Sequence, residues 1–229
     1  PEFAFLPRKF KIAVSGTEGD RAAILVHDIG LQIVRNAAGE IGFQVLVGGG
    51  LGRTPVIGSV IREFLPWQHL LTYLEAIVRV YNRYGNRANK YKARIKILVR
   101  AWTPEVFAEK VEAEWAHIKD SPETLTEEEV KRVKAYFTEP AYESLDDATA
   151  EASLSSQAQE HKAFSRWLER NTHPHRIPGY RIVTLSLKPT GVAPGDVTDS
   201  QLEAIADLAD QYSFSEIRAT HNQNLVLAD

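Results

Sequence analysis

Apolar and polar positions alternate along the first fifty residues, and this pattern predicts a group of short strands. Residues on one face of a strand recur with a period of two, which places the strands at Phe10–Val14, Ile24–His27, Leu31–Arg35 and Phe43–Val47. Residues 36–39 (Asn-Ala-Ala-Gly) supply a turn between the last two. The run Gly48-Gly49-Gly50-Leu51-Gly52 then ends the alternation.

Helical spacing replaces the alternation further along the chain. Pro66 begins and Gly85 ends a predicted helix whose apolar face comprises Leu70, Leu71, Leu74, Ile77, Val78 and Tyr81. Residues 93–100 alternate basic and apolar positions and fit either a strand or a short helix. Thr103 and Pro104 predict the start of a second helix, with an apolar face of Phe107, Val111, Trp115 and Ile118.

The stretch 121–175 is acidic and rich in helix-forming residues. Thr126 with Glu129 predicts a capping box, and 153–170 predicts a helix that buries Leu154, Ala158, Phe164 and Leu168. Residues 171–179 (Asn-Thr-His-Pro-His-Arg-Ile-Pro-Gly) have the composition of a linker. We therefore predict two domains, 1–175 and 176–229.

The second predicted domain reads as a compact βαβ unit. A strand at Tyr180–Leu187 is followed by a loop, and Thr198 with Gln201 caps a helix with the stripe Leu202, Ile205, Ala206 and Ala209. Glu216–Ala219 and Asn224–Leu227 supply a strand or hairpin. Because so small a unit cannot bury both faces of its sheet, it requires a partner, which we expect outside this chain.

Composition excludes several kinds of site. The 229 residues include no cysteine and no methionine, so the chain itself offers no disulfide, thiolate ligand or thiol nucleophile. The missing initiator predicts a processed chain or an excised internal piece. No apolar run reaches the ~18 residues of a membrane span, and no signal peptide is predicted.

The net charge of the chain is −3, but the charged residues are unevenly distributed along it. Residues 1–100 hold 15 Lys+Arg and 7 Asp+Glu, whereas 101–229 hold 12 and 23. No acidic residue lies between Glu75 and Glu105, a window that contains Arg79, Arg83, Arg87, Lys90, Lys92, Arg94, Lys96 and Arg100. These cations form a solvated face, bind an anion or pair with distant acids. A nucleic-acid-binding module stacking bases on Tyr84 and Tyr91 is the alternative function.

Three local motifs are weak indications of a binding site when each is taken by itself. The Gly48–Gly52 run follows a strand, but it lacks the Lys-Ser/Thr of a P-loop and the GxGxxG spacing. Two interpretations therefore stay open: a nucleotide-binding site, or a loop whose backbone closely approaches its neighbours. Lys9 and Lys11 fall on one face of a strand and repel unless an anion lies between them or the strand edge is exposed. His173 and His175 lack a third metal ligand in the sequence, and His27, Asp28 and His221 are expected to be structural.

Four segments in order resemble the sirohaem-dependent nitrite and sulfite reductase family. They are Leu6-Pro-Arg-Lys-Phe-Lys11, Phe43-Gln-Val-Leu-Val-Gly-Gly-Gly-Leu51, the pair Gly85-Asn-Arg87 and Ala93-Arg94-Ile-Lys96, and Ile217-Arg-Ala-Thr-His-Asn-Gln-Asn-Leu225. The resemblance implies an α+β fold, with a sirohaem-type α/β domain (a mixed sheet with flanking helices) over 1–175 and a ferredoxin-like half-domain over 176–229. It also implies a cytoplasmic oxidoreductase that reduces sulfite to sulfide or nitrite to ammonia.

The resemblance further implies cofactors and partners. Family members use a sirohaem coupled to a [4Fe–4S] cluster and take electrons from ferredoxin or a flavoprotein; neither nucleic acid nor a membrane is expected as a partner. The chain then corresponds to a central fragment, inactive alone, that joins the remaining halves of its own full-length protein, which carry the cluster cysteines.

Residue roles follow from the same resemblance. Lys9 and Lys11 would hold the oxyanion and deliver protons, while Arg94, with Arg87 and Lys96 less directly, would bind the sirohaem carboxylates. The acid-free window would form a wall of that pocket. Gly48, Gly49 and Gly50 would let the backbone approach either the macrocycle or a neighbouring strand. Arg218 and Gln223 are expected to be structural.

Overall fold

A four-stranded mixed sheet forms the centre of the first part of the chain. Its strands lie in the order β1 (Ile12–Ser15), β2 (Ile29–Arg35), β3 (Ile41–Val47) and β4 (Ser59–Pro66). β1 runs parallel to β2, and the other pairs are antiparallel. The structure, a computed structural model that describes residues 2–229, divides into two units, one ending at Phe137 and the other running from Thr138 to Asp229.

Four helices complete the first unit: α1 (Leu70–Tyr84), α2 (Ile95–Trp102), α3 (Pro104–Trp115) and α4 (Glu127–Lys134). Short 3-10 turns lie at Ile24–Val26, Trp67–His69 and Lys90–Lys92. The core lies between the sheet and the first three helices, because the apolar faces of these elements meet there. Its fully buried large side chains include Ile29, Leu31, Leu65, Tyr73, Ile77, Tyr81, Ile95 and Phe107.

Several sequence predictions for this unit are corrected by the structure. Ile24–His27 is not a strand, because Ala23 is left-handed (φ 54°) and the Asp20 carboxylate accepts from the Ile24 N–H, which begins a 3-10 turn instead. Residues 93–100 resolve as helix α2. Strand β4 was absent from the prediction, since its polar residues at both faces break the alternation.

Helix α1 ends where predicted, but it begins at Leu70 and not at Pro66, which belongs to β4, and its buried face is partly different from the predicted one. Its fully buried residues are Thr72, Tyr73, Ala76, Ile77, Val80 and Tyr81, and Leu71 is exposed. The hydroxyl of Thr72 accepts from the indole N–H of Trp115 at 3.0 Å, so a polar residue is satisfied within the core. Gly85 ends the helix, and the predicted capping boxes at Thr126 and Thr198 are confirmed.

The second unit contains a small antiparallel sheet with three helices. In chain order it comprises α5 (Asp147–Glu160), α6 (Lys162–Asn171), β5 (Thr172–Pro174), β6 (Arg181–Leu185), α7 (Asp199–Tyr212), β7 (Arg218–Ala219) and β8 (Leu225–Leu227). The spatial order of the strands is β5-β6-β8-β7. The predicted helix 153–170 is interrupted at His161, where the backbone is extended.

The predicted linker 171–179 contributes β5 to this sheet, so the compact units divide at Phe137/Thr138 and not near residue 175. The family-domain boundary at residue 175 stays a prediction. The fold is α+β, as predicted. Within residues 2–229 the helices are all too short or too polar to cross a membrane.

Candidate functional site

The Lys9-Phe10-Lys11 segment presents two ammonium groups on the surface. Both lysines are exposed, whereas Phe10 packs against the core and stacks on Tyr81 with ring centroids 5.7 Å apart. The predicted alternation is therefore present, although β1 begins only at Ile12. Within residues 2–229 neither ammonium forms a salt bridge or a side-chain hydrogen bond, so both are available to an anion.

Asp28 connects this segment to Arg94. Its carboxylate is fully buried and accepts two hydrogen bonds from the Arg94 guanidinium, Nε to Oδ1 and Nη2 to Oδ2, each at 2.9 Å. Oδ2 also accepts from the backbone N–H of Lys11 at 3.0 Å. Arg94 is thus already paired through one edge, and its remaining N–H groups lie on a side chain that is 17% exposed.

Tyr81 provides a second link between the same two segments. Its hydroxyl donates to the carbonyl oxygen of Ala93 at 2.9 Å and contacts that of Arg8 at 3.4 Å. Burial, followed by the nearby negative charge of Asp28, raises the pKa of Tyr81 to about 12. The hydroxyl is therefore a fixed donor at neutral pH.

The three glycines after β3 are buried against the chain itself. A Cβ at Gly49 would lie 2.5 Å from the carbonyl oxygen of Leu25 and 2.6 Å from that of His27, and one at Gly48, where φ is +87°, would lie 3.0 Å from Val99. A Cβ at Gly50 would lie 3.3 Å from Nη2 of Arg94. The glycines therefore approach neighbouring protein groups of the turn at Ile24–Val26 and of α2, not of a strand, and their approach to the macrocycle stays a prediction.

Lys96 holds the loop that follows these glycines. Its buried ammonium donates to the carbonyl oxygens of Leu51 at 3.1 Å and Thr54 at 2.6 Å. Burial, and secondarily the charge of Arg94, lowers the pKa of Lys96. With two of its three donors used, Lys96 fixes the loop and contributes little to the exposed positive surface.

The remaining cations of the acid-free window divide into three groups. Arg79 and Arg83 pair with Glu114 of α3, and Arg79 also pairs with Glu75, so these cations meet acids from elsewhere in the chain. Arg87 donates to the carbonyl oxygens of Phe5 and Asn82, which fastens the N-terminal segment to the end of α1. Exposed and without acidic partners in the described part of the chain are Lys90, Lys92 and Arg100.

The two histidines of the His173–His175 pair lie in different surroundings. His173 is exposed, while His175 is buried and its Nε2 lies 3.5 Å from Oδ1 of Asp229. Its Nδ1 accepts from the Ile177 N–H at 3.0 Å. Across residues 2–229 the structure brings together no group of three potential metal ligands.

Sequence reasoning assigned no functional role to Asp28 or Tyr81. Asp28 is one of only seven acids in the basic first hundred residues, and it immediately precedes a buried strand. That isolation was the available signal, because a lone acid among many cations tends to pair with one of them. The pairing partner, 66 residues distant, could not be read from the sequence.

Family models match both ends of this architecture. The model for "Nitrite and sulphite reductase 4Fe-4S domain" matches residues 1–119, and that for "Nitrite/Sulfite reductase ferredoxin-like half domain" matches residues 178–229. The chain belongs to the nitrite and sulphite reductase family. The Lys9–Lys11 segment, Asp28 and Arg94 all lie in the first of these matches.

Individual family members resemble the chain over its whole length. "Sulfite reductase [ferredoxin] 2" of Mycolicibacterium paratuberculosis is 31% identical over 100% of this chain and 34% of its own length, and the "Assimilatory ferredoxin-dependent nitrite reductase" of Haloferax mediterranei is 28% identical over 98% and 34%. The solved structure of the Mycobacterium tuberculosis NirA protein superposes with a TM-score of 0.64 at 25% identity, covering 99% of this chain and 34% of NirA. The chain spans about a third of the length of these relatives.

Proposed function

We propose that this chain forms part of the sirohaem- and substrate-binding region of a sulfite or nitrite reductase. The observation that carries the proposal is the pair of exposed ammonium groups of Lys9 and Lys11, unpaired in the described structure, on a segment whose Lys11 backbone N–H shares the Asp28 carboxylate with Arg94. Sulfite and nitrite are oxyanions, and fixed cations at one surface are the groups that bind them. Sulfite comes first because a relative that matches the whole of this chain bears that substrate in its name.

The donor set fits a carboxylate-rich macrocycle such as sirohaem. Lys9, Lys11 and the free N–H groups of Arg94 would hold its carboxylates or the substrate bound beside it. Arg87 and Lys96 donate mainly to backbone carbonyl oxygens, so we assign them to the support of the pocket. Gly48, Gly49 and Gly50 keep the same supporting role. When bound, sirohaem supplies the iron at which the oxyanion is reduced.

A [4Fe–4S] cluster does not fit the residues of this chain. Cluster irons are held by cysteine thiolates, and the sequence has none. We therefore propose that the cluster ligands belong to further residues of the same protein, which join this chain in one cytoplasmic enzyme. The relatives' names point to ferredoxin as the electron donor.

The two lysines would act on the substrate in two ways. Each Nζ can donate hydrogen bonds to an oxyanion oxygen, and each can release a proton as that oxygen leaves as water. Lys9 and Lys11 are two residues apart, and an anion bound between their two ammonium groups would offset the repulsion of like charges.

The test uses the reductase that contains this chain, with a chemically reduced one-electron dye as donor. Lys9→Ala and Lys11→Ala should each lower turnover of sulfite and nitrite by about 10²–10⁴-fold, the range for loss of a general acid. Sirohaem absorbance per protein should stay at the wild-type level. Arg83→Ala is the matched control, since Arg83 is also an exposed cation but pairs with Glu114, and its turnover should equal that of wild type.

The isolated chain provides a second test. Purified alone, the 229 residues should show no sirohaem absorption band and should reduce neither anion. Turnover by the isolated chain would overturn the division of the site between this chain and further residues. Wild-type turnover in both lysine variants of the reductase would overturn the assigned roles.

A further inference from the structure

Asp28, through its buried carboxylate and its backbone carbonyl oxygen, joins three segments that are distant in sequence. Asp28 is the only acidic side chain that is fully buried between residues 2 and 137. Its carboxylate accepts hydrogen bonds from the guanidinium of Arg94 and from the backbone N–H of Lys11. The backbone carbonyl oxygen of Asp28 accepts from the N–H of Gly48 at 3.0 Å. The lysine segment, the start of α2 and the glycine loop therefore meet at one residue.

The bonds at Asp28 require a charged carboxylate. Three N–H donors converge on its two oxygens, and two of the donors belong to the Arg94 cation, which is itself only 17% exposed. An asparagine amide offers one oxygen in place of two and would direct N–H groups toward other N–H groups. Replacing the carboxylate by the amide thus breaks this set of bonds while it preserves the size of the side chain.

The same contact determines where the lysine side chains project. Oδ2 fixes the backbone of Lys11 directly, and the Lys11 carbonyl oxygen in turn accepts from the N–H of Ile29 at 3.1 Å. Phe10 and Tyr81 hold the segment independently by packing. Loss of the Asp28 carboxylate should therefore leave the segment attached but release the backbone that orients Lys9 and Lys11.

We propose that Asp28 is a positioning residue that sets the orientation of Lys11 and Arg94 and acts on the reaction only through them. The enzymatic part of this inference rests on the proposed function, whereas its structural part does not. A carboxylate that orients a ligand-binding side chain typically changes affinity about 10- to 100-fold when it is lost. Asp28 itself is fully buried and would not touch the substrate.

The structural part is tested by amide hydrogen exchange on the full chain. In Asp28→Asn the Lys11 amide should exchange about tenfold faster or more, because its acceptor is lost, and Asp28→Glu, which keeps the charge, should give an intermediate rate. Glu112→Gln is the matched control: it disrupts another arginine–carboxylate pair, Arg62–Glu112, and should leave the Lys11 amide unchanged. An unchanged Lys11 rate in Asp28→Asn would overturn the inference.

The enzymatic part is tested by the KM for sulfite of the reductase, normalised to its sirohaem content. Asp28→Asn should raise KM about 10- to 100-fold, Asp28→Glu should restore part of the loss, and Glu112→Gln should match wild type. Adding Asp28→Asn to Arg94→Gln should cost less than in the wild-type background, because the residues act together. If Asp28→Asn shows a wild-type KM together with fast exchange of the Lys11 amide, Asp28 has a structural role and does not act on the reaction. If the wild-type protein reduces neither sulfite nor nitrite, only the proposed function is overturned.

Discussion

Two groups of side chains in the first unit share one composition but serve different ends. We call Asp28, Arg94 and Tyr81 the Asp28 group, and Glu112, Arg62 and Tyr73 the Glu112 group. In each, an arginine binds a carboxylate and a tyrosine of α1 donates a hydrogen bond. In the Glu112 group the tyrosine donates to the carboxylate itself at 2.8 Å, whereas in the Asp28 group it donates to backbone carbonyl oxygens.

The surroundings of the arginines separate the two groups further. Arg62 lies over the ring of Trp115, 4.7 Å from its centroid, and also over the ring of Tyr73, so its cation packs on aromatic side chains of the scaffold. Arg94 adjoins a segment that carries two unpaired ammonium groups. The comparison teaches that similar ion pairs can either complete a core or support a charged surface, and that the neighbours decide which.

Removal of the carboxylates gives the largest expected difference between the groups. Asp28→Ala should lower the free energy of unfolding by about 3–5 kcal/mol, because it leaves Arg94 buried without a partner. Glu112→Ala should lower it by about 1–2 kcal/mol, since the Glu112 side chain is 40% exposed and water can solvate the remaining Arg62. Urea unfolding of both variants measures this difference, and equal losses would contradict the comparison.

The second-largest expected effect is the loss of stability at alkaline pH, to which Tyr81 and Tyr73 both contribute. The pKa of Tyr81 is raised from 10.0 to about 12, and that of Tyr73 is raised further by burial and by Glu112. The folded state binds more protons than the unfolded state above pH 10, so stability is full below pH 10 and is lost as pH rises.

Phenylalanine substitutions should remove this pH dependence. Tyr81→Phe should remove about 2–3 kcal/mol of the stability loss between pH 10 and 12, and Tyr73→Phe should remove at least as much. Urea unfolding at a series of pH values measures both slopes. A wild-type slope in Tyr81→Phe would show that this hydroxyl is ionised at the same pH in both states.

Substitution of the exposed cations should have the smallest effect on stability. Lys9→Ala and Lys11→Ala should each change the free energy of unfolding by no more than about 0.5 kcal/mol, because neither side chain is buried or paired in the described structure. The comparison is Arg83→Ala, an exposed ion pair expected within the same range. A loss above about 1 kcal/mol in Lys11→Ala would mean that its side chain has a structural role.

The sequence predicted those parts of the fold where a local pattern coincides with tertiary packing. The apolar face of α3 is confirmed because Phe107, Val111 and Trp115 leave no other face to bury. The buried face of α1 was only partly predicted: Ile77 and Tyr81 are buried as expected, but Thr72 and Ala76, polar or small, also pack inward and Leu71 is exposed. β4 was missed because its alternation is broken where register shifts with β3 occur.

In the candidate site, too, the sequence predicted only what depends on neighbouring residues. The Lys9–Phe10–Lys11 alternation was readable because it depends on three adjacent residues. The roles of Arg87 and Lys96 were not, because their acceptors are backbone carbonyl oxygens, which every residue carries and no sequence pattern marks. Asp28 and Arg94 lie 66 residues apart, and only the folded chain brings them together.

That separation has a consequence for how the site forms in time. Closing a loop of this length costs chain entropy before the contact gives any stabilisation, and contacts distant in sequence slow folding. Tyr81 and Arg8, 73 residues apart, impose a similar requirement. A chain emerging from the ribosome would expose Lys9 and Lys11 long before Arg94 is synthesised. We therefore expect the cationic surface to form late in folding, after the sheet and α1. Substitutions at Asp28 should then accelerate unfolding and leave the folding rate nearly constant.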